Sequence, residues 1–130
     1  MREILFRGKR FMDGNWVDGS LFVDEKKDKH EILVGYVNYR VGWEVDPNTV
    51  GQFVGLIDRN GHKIFEGDIL DVDGEIYACQ WDEYNFEFGL VNHKESFGIA
   101  YATLNMKVIG NVHDNPELLN GGLDDEKEMG

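Results

Sequence analysis

Turn-forming residue pairs recur along the second half of this chain, and they separate short runs that are rich in β-forming residues. Asn60-Gly61 and Asp73-Gly74 each lie between two such runs. Pairs of this kind favour hairpins because their backbones tolerate the positive φ that tight turns require. The chain has 16 glycines but only 2 prolines, which favours many turns over linkers. Short strands joined by tight turns predict a small all-β barrel or sandwich.

The alternation of apolar and polar residues places the predicted strands. In the first half of the chain we predict a strand over 16–23 that is broken at Asp18-Gly19, and an exposed loop over 24–31. Residues 96–104 fit either a strand or a short helix, and 115–119 fit a single helical turn. The remaining predicted strands cover 32–37, 41–45, 52–57, 62–65, 69–72, 75–81, 86–91 and 106–112.

The cysteine count and the absence of long apolar runs indicate the compartment. Cys79 is the single cysteine, so no intrachain disulfide forms, and we expect a cytoplasmic protein in a reducing compartment. No apolar run approaches the roughly 18 residues that span a bilayer. The opening residues have no apolar stretch typical of a secretory signal. We therefore expect no membrane association.

The formal net charge is −12, which limits the class of partner. A chain of this charge is not expected to bind nucleic acid or an anionic membrane directly, because both repel it. A basic protein or a divalent cation is the kind of partner that the charge favours. The alternative interpretation is that the acidic surface only keeps the protein soluble.

Three segments resemble the YopX family of phage and prophage proteins. Residues 49–69 contain a Gly-Leu pair, an Asp-x-Asn-Gly turn and a Phe-Glu-Gly-Asp-Ile segment in the family's order. Residues 2–7 resemble the family's opening, and residues 108–119 resemble its closing segment. The resemblance implies an SH3-like β-roll over 49–119 and makes self-association an expectation. It supplies no biochemical activity. With it we predict an N-terminal β segment over 1–48 and a disordered acidic tail over 120–130.

The residues that carry the resemblance are predicted to be mainly structural. The glycines among them permit turns or close backbone approaches, and the aspartates can accept backbone N–H bonds within their own turns. The alternative is that Glu66 and Asp68 form part of a metal or catalytic site. The full set is Gly55, Asp58, Asn60, Gly61, Glu66, Gly67, Asp68, Gly110 and Asn111.

An acidic stretch without Lys or Arg runs from Ile64 to His93. We predict that its carboxylates lie on adjacent hairpins and form the contact surface for a basic protein partner. Three alternatives remain open: a solvated face, a mimic of DNA charge that occupies a DNA-binding protein, and divalent-cation binding. The predicted surface consists of Glu66, Asp68, Asp71, Asp73, Glu75, Asp82, Glu83 and Glu87.

No catalytic motif is present in the sequence. The four histidines lack zinc-site spacing, and no nucleophile elbow, phosphate loop or dinucleotide fingerprint occurs. Cys79 alternates with Tyr77 in a predicted strand and is expected to be packed. The aromatic residues between 65 and 88 are expected to pack in the core, with a groove for Pro-rich peptides bearing Lys or Arg as the alternative.

The sequence therefore predicts a non-catalytic protein-binding module that needs no metal or cofactor. A structural homo-oligomer and a divalent-metal enzyme built on Glu66 and Asp68 are the rival hypotheses. The DNA mimic is the third, and it depends on Asp71, Asp73 and Glu75 together with Glu83.

Overall fold

A computed structural model describes residues 3–102 and 105–119 of the chain, and these residues form an all-β protein. Contacts divide the chain into two compact units, Met1–Gly55 and Leu56–Gly130. The described residues form eleven strands: β1 (Phe6–Lys9), β2 (Trp16–Asp24), β3 (Lys29–Gly35), β4 (Arg40–Val45), β5 (Gly51–Ile57), β6 (Lys63–Phe65), β7 (Asp68–Val72), β8 (Glu75–Asp82), β9 (Glu87–Val91), β10 (Ser96–Gly98) and β11 (Met106–Asn111).

The strands pair in antiparallel fashion and form two sheets in the described part of the chain. The first sheet has the order β4-β3-β2-β1-β5-β6, and the second has the order β10-β9-β8-β7-β11. Strands β1 to β4 and β7 to β10 therefore follow each other as hairpins. Only β5 and β11 return to pair with a strand from earlier in the chain.

The first unit is built around β2, which pairs with β1 in its first half and with β3 in its second half. The predicted break at Asp18-Gly19 is wrong, because β2 is continuous through both residues. Gly19 lies opposite Phe6, and a Cβ there would lie only 2.2 Å from the carbonyl oxygen of Leu33. This glycine therefore permits a close approach of two strands and does not form a turn.

The predicted loop over 24–31 is shorter than expected. β2 ends at Asp24 and β3 begins at Lys29, so only 25–28 lie between the two strands. Asp28 has a positive φ of 51°, a conformation that Asp adopts more readily than most residues. Ile32 and Val45 are fully buried in this unit.

In the second unit, β7, β8, β9 and β10 form consecutive hairpins and β11 pairs with β7. Asp73 and Gly74 both have positive φ, 53° and 93°, which confirms the predicted Asp-Gly hairpin. Ile69, Leu70 and Leu90 are fully buried and form the centre of the unit's apolar core. The predicted strands on either side of these turns are confirmed to within a few residues.

The boundary between the units lies further along the chain than the predicted division after residue 48. β5 pairs with β1 through Gly51 and Gln52, so this part of the chain belongs with the first unit. The SH3-like roll over 49–119 stays a prediction, while the all-β class is confirmed. The predicted tail over 120–130 lies outside the described residues.

Three short 3-10 segments accompany the strands in the described residues: Pro47–Thr49, Ile99–Tyr101 and Pro116–Leu119. The last of these confirms the helical turn predicted over 115–119. Residues 96–102 contain a short strand followed by a 3-10 turn, so both structures considered for this region occur. Within residues 3–102 and 105–119, no helix has the length and apolar character that crossing a membrane requires.

Candidate functional site

Asp58 shows what the residues of the family motif do. Its Oδ1 accepts the backbone N–H bonds of Asn60 and His62 at 2.9 and 2.8 Å, and its Oδ2 accepts that of Val108 at 2.9 Å. The carboxylate is therefore the point at which the β5–β6 turn is tied to β11. Gly61 has a φ of 83° and completes this turn. Asp58 itself is only 5% exposed.

The environment of Asp58 favours its charged form. Burial opposes the charge, but the three backbone N–H donors and the nearby His62 together hold the pKa of Asp58 below its usual value. The prediction that Asp58 caps its own turn is confirmed. The bond to Val108 connects residues 50 positions apart, and no local pattern in the sequence predicts it.

The remaining motif residues also have structural positions. Gly67 has a φ of 95°, and the buried Asp68 accepts the backbone N–H of Phe65 at 2.7 Å. Gly110 lies at a register shift of β11, where a Cβ would lie 2.6 Å from the Asn115 side chain. The Asn111 side chain accepts the N–H bonds of the two residues that follow Val112. The motif therefore builds turns and closes the sheet.

The acidic stretch does not form one surface, because β8 separates it into two ends. Asp71, Asp73 and Glu75 lie at or near the β7–β8 turn, whereas Asp82, Glu83 and Glu87 lie at the β8–β9 turn. β8 has eight residues, Glu75–Asp82, and at about 3.3 Å per residue its ends are about 23 Å apart. Glu66 and Asp68 precede or begin β7 and so lie near the β8–β9 end of the sheet.

At the β7–β8 end the acidic groups have partners within the unit. Asp71 accepts the N–H of Gly74 at 2.8 Å, and Asp73 accepts from the Asn105 side chain at 2.7 Å. Lys94 lies 3.9 Å from Glu75. Arg59 and Lys107 line a small polar pocket of about 210 Å³ beside Asp71, Asp73, Gly74 and Asn105. Cations therefore lie beside the carboxylates at this end.

At the β8–β9 end one carboxylate is occupied by the turn itself. Asp82 accepts the N–H bonds of Tyr84 and Asn85 at 2.9 and 3.2 Å, and its other oxygen accepts the Asn85 amide at 2.8 Å. The hydrogen bond from the Asn85 side chain is the main cause that lowers the pKa of Asp82. This residue therefore holds the hairpin turn.

Glu83 and Glu87 are the other two predicted carboxylates at the β8–β9 turn, and neither has a polar partner in the described residues. Glu83 and Glu87 form no hydrogen bond or ion pair with any residue in the described ranges. Glu83 is exposed in the turn, and Glu87 is half-buried on β9. Neither carboxylate therefore has its charge compensated by an ion pair within the described residues.

A groove of about 520 Å³ opens beside these residues on strands β8, β9 and β10. This volume lies within the range of about 300–1,000 Å³ typical of ligand clefts. None of the residues that line it is Lys or Arg. They are Gln80, Trp81, Asp82, Glu83, Tyr84, Asn85, Gly89, Leu90, Val91, Ser96 and Phe97.

Glycine keeps the strand β9 part of the groove open. Gly89 lies on β9, opposite Gln80 on one side and Gly98 on the other. A Cβ at Gly98 would lie 2.6 Å from Oε1 of Glu87, so the Glu87 carboxylate occupies the space that a side chain at 98 would fill. Because side chains alternate along a strand, Glu87 and Gly89 share a face of β9. Glu87 therefore borders the groove.

The aromatic residues considered for core packing fall into two groups. Phe65 and Tyr77 are buried, which confirms the core assignment for these two. Tyr84 is 95% exposed in the turn that borders the groove, and Phe86 in the same turn is 77% exposed. Trp81 and Phe88 contact each other edge-to-face across β8 and β9 with ring centroids 5.1 Å apart.

A tyrosine–glutamate pair fixes the far end of the β9–β10 hairpin. The buried Tyr77 hydroxyl donates to the Glu95 carboxylate, and the Tyr77 ring contacts Phe97 edge-to-face. The hydrogen bond to Glu95 and burial raise the pKa of Tyr77 to about 12.

The two units carry very different charge. Residues 1–55 hold eight Lys and Arg against nine Asp and Glu, a net charge of −1, whereas residues 56–130 hold five against sixteen, a net charge of −11. The acidic character of the chain therefore belongs almost entirely to the unit that contains the groove.

The sequence predicted the acidic residues of this site and offered a peptide groove among the aromatic residues only as an alternative. Gln80, Gly89 and Ser96 were not predicted to contribute, although a glycine inside a strand pattern can mark a close approach or an open surface. No cluster of three or more His, Cys, Asp or Glu residues positioned to hold a metal ion occurs in the described part of the chain. Cys79 is buried, as predicted.

Comparison with known proteins gives a family and a fold. The family model described as YopX protein matches residues 5–120. The crystal structure of protein EF1440 from Enterococcus faecalis is similar, with a TM-score of 0.59 and 23% sequence identity. That match covers 92% of this chain and 99% of the other. No curated protein matches the sequence.

Proposed function

The chain belongs to the YopX family, and we propose that it is a non-catalytic protein-binding module. Its contact surface is the groove on β8, β9 and β10, which the β8–β9 turn borders. The family resemblance supports the further expectation that it is a phage or prophage accessory protein acting in the cytoplasm of a bacterial host.

The observation that carries this proposal is a groove beside two carboxylates that have no hydrogen-bond or ion-pair partner in the described residues. The groove has strand backbone as its floor, an almost fully exposed Tyr84 at its border, and Gly89 where a side chain would close it. Its open cross-section suits an extended peptide segment, since such segments commonly bind in grooves beside strands. Two of the three motif carboxylates, Asp58 and Asp68, hold turns, which supports a structural role for these two residues.

A peptide-selection experiment tests the proposal. A display library of random peptides is selected on the immobilised chain, and the enriched peptides are then titrated against two variants that fill the groove, Gly89→Leu and Ser96→Trp. We expect enriched peptides that bind each variant at least about tenfold more weakly, because a filled groove excludes the peptide backbone. Circular dichroism of both variants checks that they fold.

Two outcomes would overturn the proposal. In the first, no peptide is enriched over a blank surface. In the second, the enriched peptides bind both folded variants as tightly as the unchanged chain, which would place the binding surface elsewhere. The Ser96 variant keeps the test decisive if Gly89→Leu does not fold, because Ser96 is exposed and its side chain makes no hydrogen bond within the described residues.

Self-association is a second candidate function, and exposed apolar residues in the first unit favour it. At the β3–β4 turn, Val37 is 98% exposed. The half-exposed rings of Tyr36 and Tyr39, on either side of it in the sequence, stack on each other. At the β1–β2 turn, Phe11 and Met12 are 61% and 77% exposed. Light scattering over a concentration series tests this candidate, and a constant monomer mass would argue against it.

A further inference from the structure

We infer that the occupant of the groove is an extended segment of a partner protein that carries a Lys or Arg side chain, and that Glu83 and Glu87 select it. This inference rests on the proposed function, and it adds the chemical class of the partner. We do not expect a neutral or acidic segment of the same shape to bind in the groove.

The carboxylates of Glu83 and Glu87 are available to interact with a cation. Asp82, their neighbour, uses both oxygens to hold the β8–β9 turn. Glu83 and Glu87 make no such bonds with the residues that the structure describes. An arriving cation would therefore form new interactions without breaking existing ones.

The lining of the groove differs in charge from the other end of β8. None of the residues that line the groove is Lys or Arg. At the other end of β8, Arg59, Lys94 and Lys107 lie beside the acidic residues. The β7–β8 and β8–β9 turns each carry three of the predicted acidic residues, and no Lys or Arg lines the groove beside the second of these turns. Charge complementarity therefore points to a cationic partner at the groove.

The Glu87 carboxylate lies beside strand β10. It lies against the backbone of β10, at the place where only a glycine at 98 leaves room. It is therefore held at the border of the groove, and part of its hydration is replaced by the strand. A carboxylate placed in this way binds a charged donor more strongly than a freely hydrated one does.

Tyr84 presents an exposed aromatic ring to a cationic side chain. Its ring is 95% exposed in the turn, and its side chain makes no contact with a partner in the described residues. A guanidinium or ammonium group is attracted to the face of such a ring. Glu83 is its sequence neighbour, so a ring and a carboxylate are available together to one cationic side chain.

The test uses the display-selected peptide and a neutral copy of it, in which each Arg is replaced by citrulline and each Lys by Gln. Both peptides are titrated by calorimetry against the unchanged chain and against the variant Glu83→Gln/Glu87→Gln. The matched control is Glu25→Gln/Glu117→Gln, which removes the same charge at exposed positions whose side chains make no polar contact within the described residues.

We expect the selected peptides to contain Lys or Arg. We expect the neutral copy, and separately the Glu83→Gln/Glu87→Gln variant, to lower affinity by about tenfold, because charge-assisted hydrogen bonds are lost. The control variant is expected to stay within about twofold, because neither residue lines the groove and exposed charges are screened by salt.

The inference is overturned if the selected peptides lack Lys and Arg. It is also overturned if the Glu83→Gln/Glu87→Gln variant binds unchanged while Gly89→Leu or Ser96→Trp abolishes binding. In either of these cases the proposed function stands, and the groove recognises the shape of the peptide and not its charge. If no peptide binds in the groove, both proposals fail.

Discussion

The turn region around Asp58 and Asp68 differs from the β8–β9 hairpin in what its carboxylates contact. Asp58 and Asp68 are buried and accept backbone N–H bonds from turns and from β11. Glu83 and Glu87 contact solvent and carry no partner in the described residues. The two regions lie in the same unit and contain similar numbers of acids. The backbone donors around each carboxylate, rather than its place in a motif, determine whether it serves the fold.

This contrast separates two kinds of experimental readout. Removing a carboxylate from the first region leaves buried N–H groups without an acceptor, so it lowers the free energy of unfolding. Removing Glu83 or Glu87 from the second region leaves no N–H group unpaired, so it should change binding and leave stability almost unaltered. The expected change in the free energy of unfolding is largest for Asp58 and smallest for Glu83 and Glu87.

The largest effect is expected for Asp58→Ala. Three backbone N–H groups lose a charged acceptor, and we expect the free energy of unfolding to fall by about 3 kcal/mol. Urea unfolding followed by circular dichroism measures the change. Asp58→Asn is the control: it keeps one carbonyl acceptor and should lose less than the alanine variant does. A loss below about 1 kcal/mol for Asp58→Ala would contradict the structural role of this residue.

The next largest difference in the free energy of unfolding is expected between Gly67→Ala and Gly89→Ala. Gly67 has a φ of 95°, so Gly67→Ala should cost about 1–2 kcal/mol in backbone strain. Gly89 does not have a positive φ, and a Cβ there would lie 3.3 Å from the carbonyl oxygen of Phe97. Gly89→Ala should therefore cost less than about 1 kcal/mol. Equal losses in urea unfolding would remove the distinction between the two regions.

Tyr77 provides a prediction at alkaline pH. Its folded-state pKa is about 12, raised by Glu95, whereas the unfolded value is about 10. The folded state therefore retains the proton more strongly, and its contribution to stability is complete below pH 10 and is lost as the pH rises toward 12. At neutral pH, Tyr77→Phe should cost about 1 kcal/mol through the lost hydrogen bond.

Urea midpoints between pH 8 and pH 12 measure this effect, with pH values chosen around the pKa of about 12. The unchanged chain should lose more stability over this range than Tyr77→Phe does. Tyr84→Phe is the matched control, because Tyr84 is 95% exposed and should leave the profile as it is. Identical profiles for all three proteins would show that the pair of Tyr77 and Glu95 does not contribute to stability.

The smallest effect on stability is expected for Glu83→Gln/Glu87→Gln. Neither carboxylate has a partner in the described part of the chain, so the free energy of unfolding should change by less than about 0.5 kcal/mol. Thermal unfolding at low and at high salt measures the change. A loss comparable to that of Asp58→Ala would show that these carboxylates serve the fold and would leave the groove without free charge.

Local residue chemistry predicted most of the fold of the second unit. Asp73-Gly74 forms its hairpin because both residues adopt positive φ, and this preference is readable without knowledge of the rest of the chain. Gly19 shows the opposite case. The sequence pattern treats a glycine after an aspartate as a turn, while the structure uses it for a contact between strands that are distant in sequence.

The candidate site was only partly predictable for the same reason. The sequence identifies an acidic stretch without Lys or Arg, but β8 separates its members, and Arg59, Lys94 and Lys107 reach one end from other elements. Compensation of this kind depends on strand pairing and on turns, which join residues far apart in the chain. The groove itself depends on the pairing of Gly89 with Gln80 and Gly98.

The most direct test of the central claim compares the two ends of β8 in one experiment. Amide NMR spectra of the chain are recorded during titration with the display-selected peptide. The signals of Gln80, Gly89 and Ser96 should shift at the groove end, while those of Asp73 and Gly74 at the β7–β8 turn should stay in place. Shifts concentrated at Asp73 and Gly74, or in residues 1–55, would contradict the account.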